Sequence, residues 1–398
     1  MELNMSDSSF KVEESFKKPI DVVMPIVYGM LNMQFSNIPC AIPGLFGDAG
    51  IGKTAQIEKM CTDNNWNLLN VHYGLKPLEE ISGLPDFGET VSVKGNNIKK
   101  TNWTLPDILS DAYELCKNGK PLVIFLDDFH TASPGNMALG YEMFTSKKLR
   151  GYPFPDQTAF ILAANVSGKK SLANPIPSPI INRLAKFDVS INFETWKKQF
   201  AIPNNVNKKI IHFLSNPKYA IYFQTEEIVN APWCSARSWT NFSTLLNVME
   251  QFMSNYIDTI DPYYLAKSFI DEEAALVFAK YYVLYNQINV IDIFKNNMAI
   301  VIPEKINEKY VFILACVDEF INLYSKNENP EKILNVITDI IIKMAETNSE
   351  LSIVGLKEIL TSQQSLKLKN IFSEIKKIMM AKNAQISQML FNDIMKLI

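Results

Sequence analysis

Arginine is nearly missing from this chain. Of 39 basic residues only three are arginine (Arg150, Arg183 and Arg237), and the rest are lysine. The formal net charge is -3, so no excess of positive charge argues for nucleic acid or for an anionic membrane surface. Lysine pairs such as Lys17-Lys18, Lys99-Lys100 and Lys169-Lys170 read as solvated surface. Cysteine is sparse: Cys40, Cys61, Cys116, Cys234 and Cys316 lie far apart, with neither metal nor redox spacing. Reduced thiols in a cytoplasm are therefore the expectation. The three histidines, His72, His130 and His212, have no metal-ligand spacing either. Long apolar runs are absent too. The stretch AALVFAKYYVLY is interrupted by Lys280 and falls short of the ~20 residues that span a bilayer. The opening MELNMSDSSFKVEESF is acidic and polar, unlike a secretory leader. No membrane association is expected, and no internal repeat is visible.

What is present is an ordinary globular composition, 47% hydrophobic and 20% charged over 398 residues, enough for roughly two to three domains. Residues 20–35 read as a helix leading into the apolar run CAIPGLF. Pro43 removes a ladder donor from that run, which predicts a bulge or an early strand end. Further strands are expected at WNLLNVHY (66–73), PLVIFLDD (121–128), AFILAANV (159–166) and KFDVSIN (186–192), with a helix in TLPDILSDAYELCKNG. Strands alternating with helices imply a parallel sheet with ligands at the C-terminal strand ends. From about residue 193 helical periodicity takes over, as in NKKIIHFLSNP, SARSWTNFSTLLNVMEQFM and PEKILNVITDIIIKMAE. The C-terminal stretch NIFSEIKKIMMAKNAQISQMLFNDIMKLI is amphipathic, and its apolar stripe reads as lobe core.

One short segment carries chemistry of its own. Gly47, Asp48, Ala49, Gly50, Ile51, Gly52, Lys53 and Thr54 meet the pattern Gly-x-x-x-x-Gly-Lys-Ser/Thr of a phosphate cradle. Glycines let successive backbone N–H groups turn toward phosphate oxygens. Lys53, expected to be exposed in the loop, would reach the β- and γ-phosphates, and the Thr54 hydroxyl would sit on Mg²⁺. The apolar LVIFLDD then ends in two acids: Asp127 to orient the metal shell, and Asp128 to polarise an attacking water as general base. Asn165 ends another buried strand. If that strand lies between the cradle strand and the Asp127 strand, its amide faces the γ-phosphate or its water. Arginine scarcity singles out Arg183 in PIPSPIINRLAKFDV and Arg237 in WCSARSW as planar donor forks for phosphate sensing. Arg150 in KKLRGYPFP is ambiguous between a structural salt bridge and a catalytic role.

On these residues the chain resembles AAA+ ATPases, and within them the MoxR-like group. GDAGIGKT matches Walker A and LVIFLDD matches Walker B. Asn165 matches sensor 1, Arg183 in INRLA the arginine finger, and Arg237 in SARSW sensor 2. SGLPDFGETVSVKGNNIKKTNWTLPD resembles a hairpin inserted in the second helix, and KKLRGYPFPDQTAF one preceding sensor 1. The resemblance implies an α/β fold, an AAA+ P-loop parallel sheet with flanking helices, followed by an all-helical lid and a helical C-terminal region. The corresponding divisions are residues 1–193, 194–300 and 301–398. It further implies ATP and Mg²⁺ bound at subunit interfaces of a homo-oligomeric, typically hexameric ring, and remodelling of a protein partner, often one with a von Willebrand factor A domain. One departure bears on rate: the usual second acid of Walker B is Glu, and Asp128 is shorter by one methylene, roughly 1.5 Å. Two alternatives stand beside this reading, a nucleotide-gated scaffold with little hydrolysis and a nucleic-acid-linked motor. No base-reading motif distinguishes ATP from GTP.

Overall fold

The computed structural model describes residues 17–94, 96–165, 174–228, 230–252, 261–296, 298–326, 328–365 and 370–397. The chain divides into two compact units, Met1–Thr195 and Trp196–Ile398. The first holds every strand among the described residues. In chain order these are β1 (Lys18–Pro19), β2 (Ile42–Phe46), β3 (Asn67–His72), β4 (Pro85–Asp86), β5 (Thr90–Val93), β6 (Asn96–Lys99), β7 (Asn102–Trp103), β8 (Leu122–Asp127), β9 (Lys148–Leu149), β10 (Tyr152–Pro153), β11 (Thr158–Ala164) and β12 (Leu184–Ser190). Six of them form one sheet in the order β1-β12-β2-β11-β8-β3. Every pairing in it is parallel. The expected fold class is therefore observed: a parallel sheet with flanking helices, followed by a helical region. Two insertions expected as hairpins form antiparallel pairs, β5 with β6 inside β4 with β7, and β9 with β10.

The flanking helices are α1 (Ile20–Phe35), α2 (Lys53–Asp63), α3 (Leu78–Ser82), α4 (Asp107–Cys116), α5 (Pro134–Ser146) and α6 (Ser178–Ile181). A parallel sheet covered on both faces needs strands that are apolar at every position rather than at alternate ones. In β8 every residue is buried. Leu122, Ile124 and Leu126 join the core with Ile108 and Leu109 of α4 and Met137 and Met143 of α5. Val123 and Phe125 point the other way, into the core with Val27 and Leu31 of α1 and Ile57 and Cys61 of α2. Each such side chain contributes about 1.5–3 kcal/mol when fully buried. Helix α5 starts where Ser133 accepts the Asn136 N–H at 3.2 Å, with Pro134 in the first turn where its missing N–H costs nothing.

Pro43 neither bulges nor ends its strand. It pairs with Ala185 of β12, and only the pairing with β11 starts late, at Gly44 opposite Leu162. On the β11 side the ladder places the Gly47 N–H on the Ala164 carbonyl. Counting back in steps of two, the nitrogen of residue 43 faces Phe160, and proline has no hydrogen to give. The Gln34 side chain, from the last turn of α1, supplies it. Its Nε2 donates to the Phe160 carbonyl at 3.0 Å, and its Oε1 accepts the Phe160 N–H at 2.8 Å. A buried amide thus stands in for one missing strand residue.

The second unit contains no strand among its described residues. Its helices are α7 (Lys208–Ser215), α8 (Ala236–Phe252), α9 (Pro262–Lys267), α10 (Glu272–Gln287), α11 (Ile291–Lys295), α12 (Ile306–Ser325), α13 (Pro330–Thr347), α14 (Ser349–Ser365), α15 (Ile371–Lys382) and α16 (Ala384–Leu397). Helices on either side of residue 300 pack into this one unit: Tyr285 of α10 donates to Asp318 of α12 at 2.6 Å, and Lys197 pairs with Glu358 of α14 at 2.9 Å. Burial alone would raise the Glu358 carboxyl. The imidazole of His212 and the ammonium of Lys197 beside it outweigh that and hold it well below the usual range. The C-terminal stripe is core, with Ile375, Met379, Leu390 and Ile394 all buried.

Removing the Gln34 amide tests the account of Pro43. Gln34→Leu keeps the apolar volume near α1 but leaves the Phe160 N–H and carbonyl unpaired in the interior, at about 1–3 kcal/mol for each group. Urea unfolding should show a clear drop in midpoint. An unchanged midpoint would mean that these backbone groups find other partners.

Candidate functional site

The C-terminal ends of β2, β11 and β8 lie side by side, and β11 occupies the position between the other two that the reading of Asn165 requires. From β2 the chain enters the loop 47–52 and then α2. Gly47 has no room for a side chain: a Cβ there would run into the Val189 carbonyl and the Ile51 side chain. Gly50 and Gly52 take φ of 78° and 89°, a region that L side chains adopt only at a cost. Ile51 is buried in the core with α1 and α2 and anchors the loop. Asp48 stays exposed and pairs with Lys17 at 3.5 Å, while Ala49 and Gly50 are half-buried. Helix α2 opens on Gly52 with no side-chain cap, so its first N–H groups and its positive dipole end are left for an anion.

Lys53 is not exposed in the loop as expected; only 8% of it is accessible. A buried ammonium needs its donors satisfied. Nζ donates to the Gly47 carbonyl at 2.8 Å, to the Asp48 carbonyl at 3.0 Å and to Asn165 Oδ1 at 2.8 Å. The cation is therefore threaded back beneath its own loop and tied to the tip of β11. Next to it, Thr54 Oγ1 donates to Asp127 Oδ2 at 2.9 Å, and Asp127 Oδ1 accepts the Asp128 N–H at 3.0 Å. The Thr54 hydroxyl and the Asp127 carboxylate are hard oxygen donors meeting at one point. That is the donor chemistry Mg²⁺ takes when it keeps most of its waters, and the two residues fit it.

Asp128 has φ 51° and ψ 36°, in the left-handed region where Asp is among the few tolerated residues. The chain there leaves β8 and enters a short turn, Phe129–Thr131, whose Thr131 N–H and Oγ1 both donate to the Asp128 carbonyl at 2.9 and 2.8 Å. The Asp128 side chain is half-buried and accepts no hydrogen bond from the described residues. Gly74 lies against this turn; a Cβ on it would collide with Thr131 Oγ1 and crowd the Asp128 carbonyl.

One residue of the cluster escaped the sequence reading. His130 is buried, and its Nδ1 accepts the Asn165 N–H at 3.3 Å. Burial pushes its pKa down and the Lys53 charge adds to this, against the opposing pull of Asp128 and Asp127. A lone histidine without ligand spacing gives no signal of such a role; its place two residues after an acid pair is the only hint.

Among the described residues, neither arginine of the first unit shares a contact with the cluster. Arg183 lies half-buried between α6 and β12, its guanidinium 4.3 Å from the centre of the Tyr141 ring, with Nη1 donating to the Pro179 carbonyl at 2.9 Å. Arg150, at φ 51°, stacks 3.8 Å over Trp103 and has no ion pair among the described residues, so the salt bridge considered for it is replaced by a cation–π contact. Arg237 is exposed in the first turn of α8, where Ser235 and Ser238 cap each other's N–H groups at 2.8 and 3.2 Å. It belongs to the second unit.

No protein-family model matches the chain, and no curated protein matches it. Among solved structures it is similar to a mutant of Thermotoga maritima RuvB, at 12% identity over 77% of each chain with a TM-score of 0.35. It is also similar to the Thermotoga maritima RuvB Holliday junction branch migration motor, at 13% identity over 77% of this chain and 76% of that one with a TM-score of 0.32. Similarity this distant carries no weight for residues or function.

The contact between Gly74 and the Asp128 turn can be measured by a double-mutant cycle. Gly74→Ala should destabilise by displacing Thr131, and Thr131→Ala by removing a bond to the Asp128 carbonyl. Because the second change vacates the space the first requires, the double variant should lose less than the sum, by about 0.5–3 kcal/mol. Strict additivity in urea unfolding would separate the two positions.

Proposed function

We propose that this chain is an AAA+ ATPase of MoxR-like type, which binds ATP with Mg²⁺ and hydrolyses it to remodel a protein partner. The observation that carries the reading is one hydrogen-bonded cluster at three adjacent strand ends. It joins Lys53 to Asn165 and Thr54 to Asp127 beneath a glycine loop that opens a helix. Those are the parts that hold and polarise a triphosphate, in the order that phosphoryl transfer needs them.

In this reading the ammonium of Lys53 exchanges its carbonyl partners for β- and γ-phosphate oxygens, and the N–H groups of 47–54 surround the same phosphates. Thr54 and Asp127 hold Mg²⁺, which when bound offsets phosphate charge. The Asn165 amide, next to Lys53, orients the γ-phosphate or the attacking water. Asp128 takes the proton as that water's oxygen bonds to the γ-phosphorus and the bond to the bridging oxygen breaks, leaving ADP and phosphate. Its carboxylate is free of hydrogen bonds among the described residues, which suits a base waiting for a proton. Arg183 and Arg237 are the phosphate-sensing forks. Arg183 rests on Tyr141, away from its own chain's Lys53 cluster, and serves the nucleotide of the neighbouring subunit in a homo-oligomeric ring. The hairpins β4–β7 and β9–β10 and the helices of 194–300 (the lid) and 301–398 support the MoxR-like form of this reading. The partner with a von Willebrand factor A domain and the cytoplasmic setting are proposed on the sequence resemblance and composition alone.

Two experiments test it. Lys53→Ala should abolish or greatly weaken binding of a fluorescent ATP analogue. Since Lys53 is buried and tied to Asn165, circular dichroism and urea unfolding must accompany the titration. Wild-type affinity in a folded variant would remove the cradle from the argument.

Asp128→Asn should keep ATP bound and slow turnover by about 10²–10⁴-fold, and Arg183→Ala should be impaired by about 10³–10⁵-fold. Mixing the two inactive preparations should restore part of the activity, because some interfaces then pair an intact Asp128 with an intact Arg183. No recovery in demonstrably mixed rings whose sites act independently would rule out service in trans.

A further inference from the structure

We infer that His130 is a positioning residue for Asn165, its unprotonated Nδ1 replacing a backbone carbonyl that β8 fails to supply. The inference rests on the proposed role of Asn165 at the γ-phosphate and deepens it.

The need for such an acceptor follows from how the two strands part. Pairing between β11 and β8 runs from Thr158 opposite Leu122 to Leu162 opposite Leu126. Beyond it the Ala164 carbonyl is taken by the Gly47 N–H on the β2 side. Backbone groups alternate sides along a strand, so the next N–H, that of Asn165, turns toward β8. On that side no carbonyl is left. The Asp127 carbonyl accepts the Tyr73 N–H from the β3 side at 3.0 Å. Asp128 has turned away at φ 51°, and its carbonyl is held by the Thr131 N–H and Oγ1. The His130 ring, presented by the turn that Asp128 starts, meets the Asn165 N–H at 3.3 Å.

The bond can form only if Nδ1 is an acceptor, which requires a neutral ring with its proton on Nε2. The surroundings favour that state: His130 is 4% accessible, and Lys53 stands nearby as a positive charge. The groups that oppose it are the Asp127 and Asp128 carboxylates. The same Asn165 whose N–H is held by His130 accepts the Lys53 ammonium through Oδ1 at 2.8 Å. One histidine thereby fixes the end of β11 relative to the turn carrying Asp128, and with it the distance between the amide that orients and the carboxylate that accepts a proton. A misplacement of about 1 Å at such a point is enough to slow a reaction by about 10²-fold.

Three variants distinguish positioning from simple core filling. His130→Leu keeps most of the volume without an acceptor, His130→Ala removes both, and His130→Asn places Oδ1 close to where Nδ1 stands. Two readouts are taken on each folded variant: steady-state kcat and KM for ATP, and hydrogen–deuterium exchange of the segment containing the Asn165 amide. The expected result is a kcat lowered by about 10²-fold in Leu and Ala with KM little changed, faster exchange at Asn165 in both, and recovery of both readouts in Asn. Leu turning over ATP as fast as wild type, or Asn no better than Leu, would overturn the inference. A wild-type chain that binds but does not hydrolyse ATP would overturn the ATPase reading itself. Exchange then decides the placement of Asn165 alone: faster in Leu than in Asn supports His130 as its acceptor, and equal rates refute it.

Discussion

A lysine ammonium buried at the C-terminal strand ends of a parallel sheet is the constraint on which the site depends. Lys53 cannot leave water without acceptors, and the loop below it and the neighbouring strand supply them. Satisfying that charge draws the loop 47–52 over the end of β2 and ties it to β11. The sheet order follows the same need, since Asn165 can reach Lys53 only from the strand next to β2. Thr54 of α2 and Asp127 of β8 then close the same cluster.

The sheet around the cluster is held by side chains acting in place of backbone. At the N-terminal end of the β2–β11 pairing, Gln34 completes the Phe160 backbone where Pro43 has no hydrogen. At the C-terminal end, His130 completes the Asn165 N–H where Asp128 has turned away. Both are neutral groups in dry surroundings, where an unpaired backbone donor costs more than an ordinary hydrogen bond gains. The strand ends can therefore diverge to open a site without leaving orphaned groups. The cluster end of the sheet thereby relies on His130 and the opposite end on Gln34, neither of which belongs to a phosphate motif.

Arginine placement separates two uses of the same side chain. Arg150 lies flat on Trp103 with no carboxylate partner among the described residues, which is a packing role for a planar cation. Arg183 also stacks, on Tyr141, but is half-buried and gives one donor of its fork to the Pro179 carbonyl. Lysine would lose the stacking in both places, which accounts for arginine surviving there in a chain that otherwise uses lysine.

Much of this was legible in the residues alone because it is local. Continuous apolar runs marked β8 and β11, the Gly-x-x-x-x-Gly-Lys-Thr pattern marked the loop, and the loss of strand signal near 193 marked the helical half. These features depend on neighbours a few positions apart, where periodicity and glycine chemistry act directly. From the residues alone Pro43 predicts a bulge or an early strand end, because its remedy, Gln34, meets Phe160 across 126 positions of sequence. Lys53 was misread as exposed because its acceptor Asn165 lies 112 positions away. His130 carried no motif at all, and its role exists only because β8 and β11 end next to each other with one N–H left over. Sequence by itself determined which elements form and which residues carry charge. Only the tertiary structure decided which of those charges and amides are buried together, since register between distant strands depends on whole-sheet packing that no short pattern records.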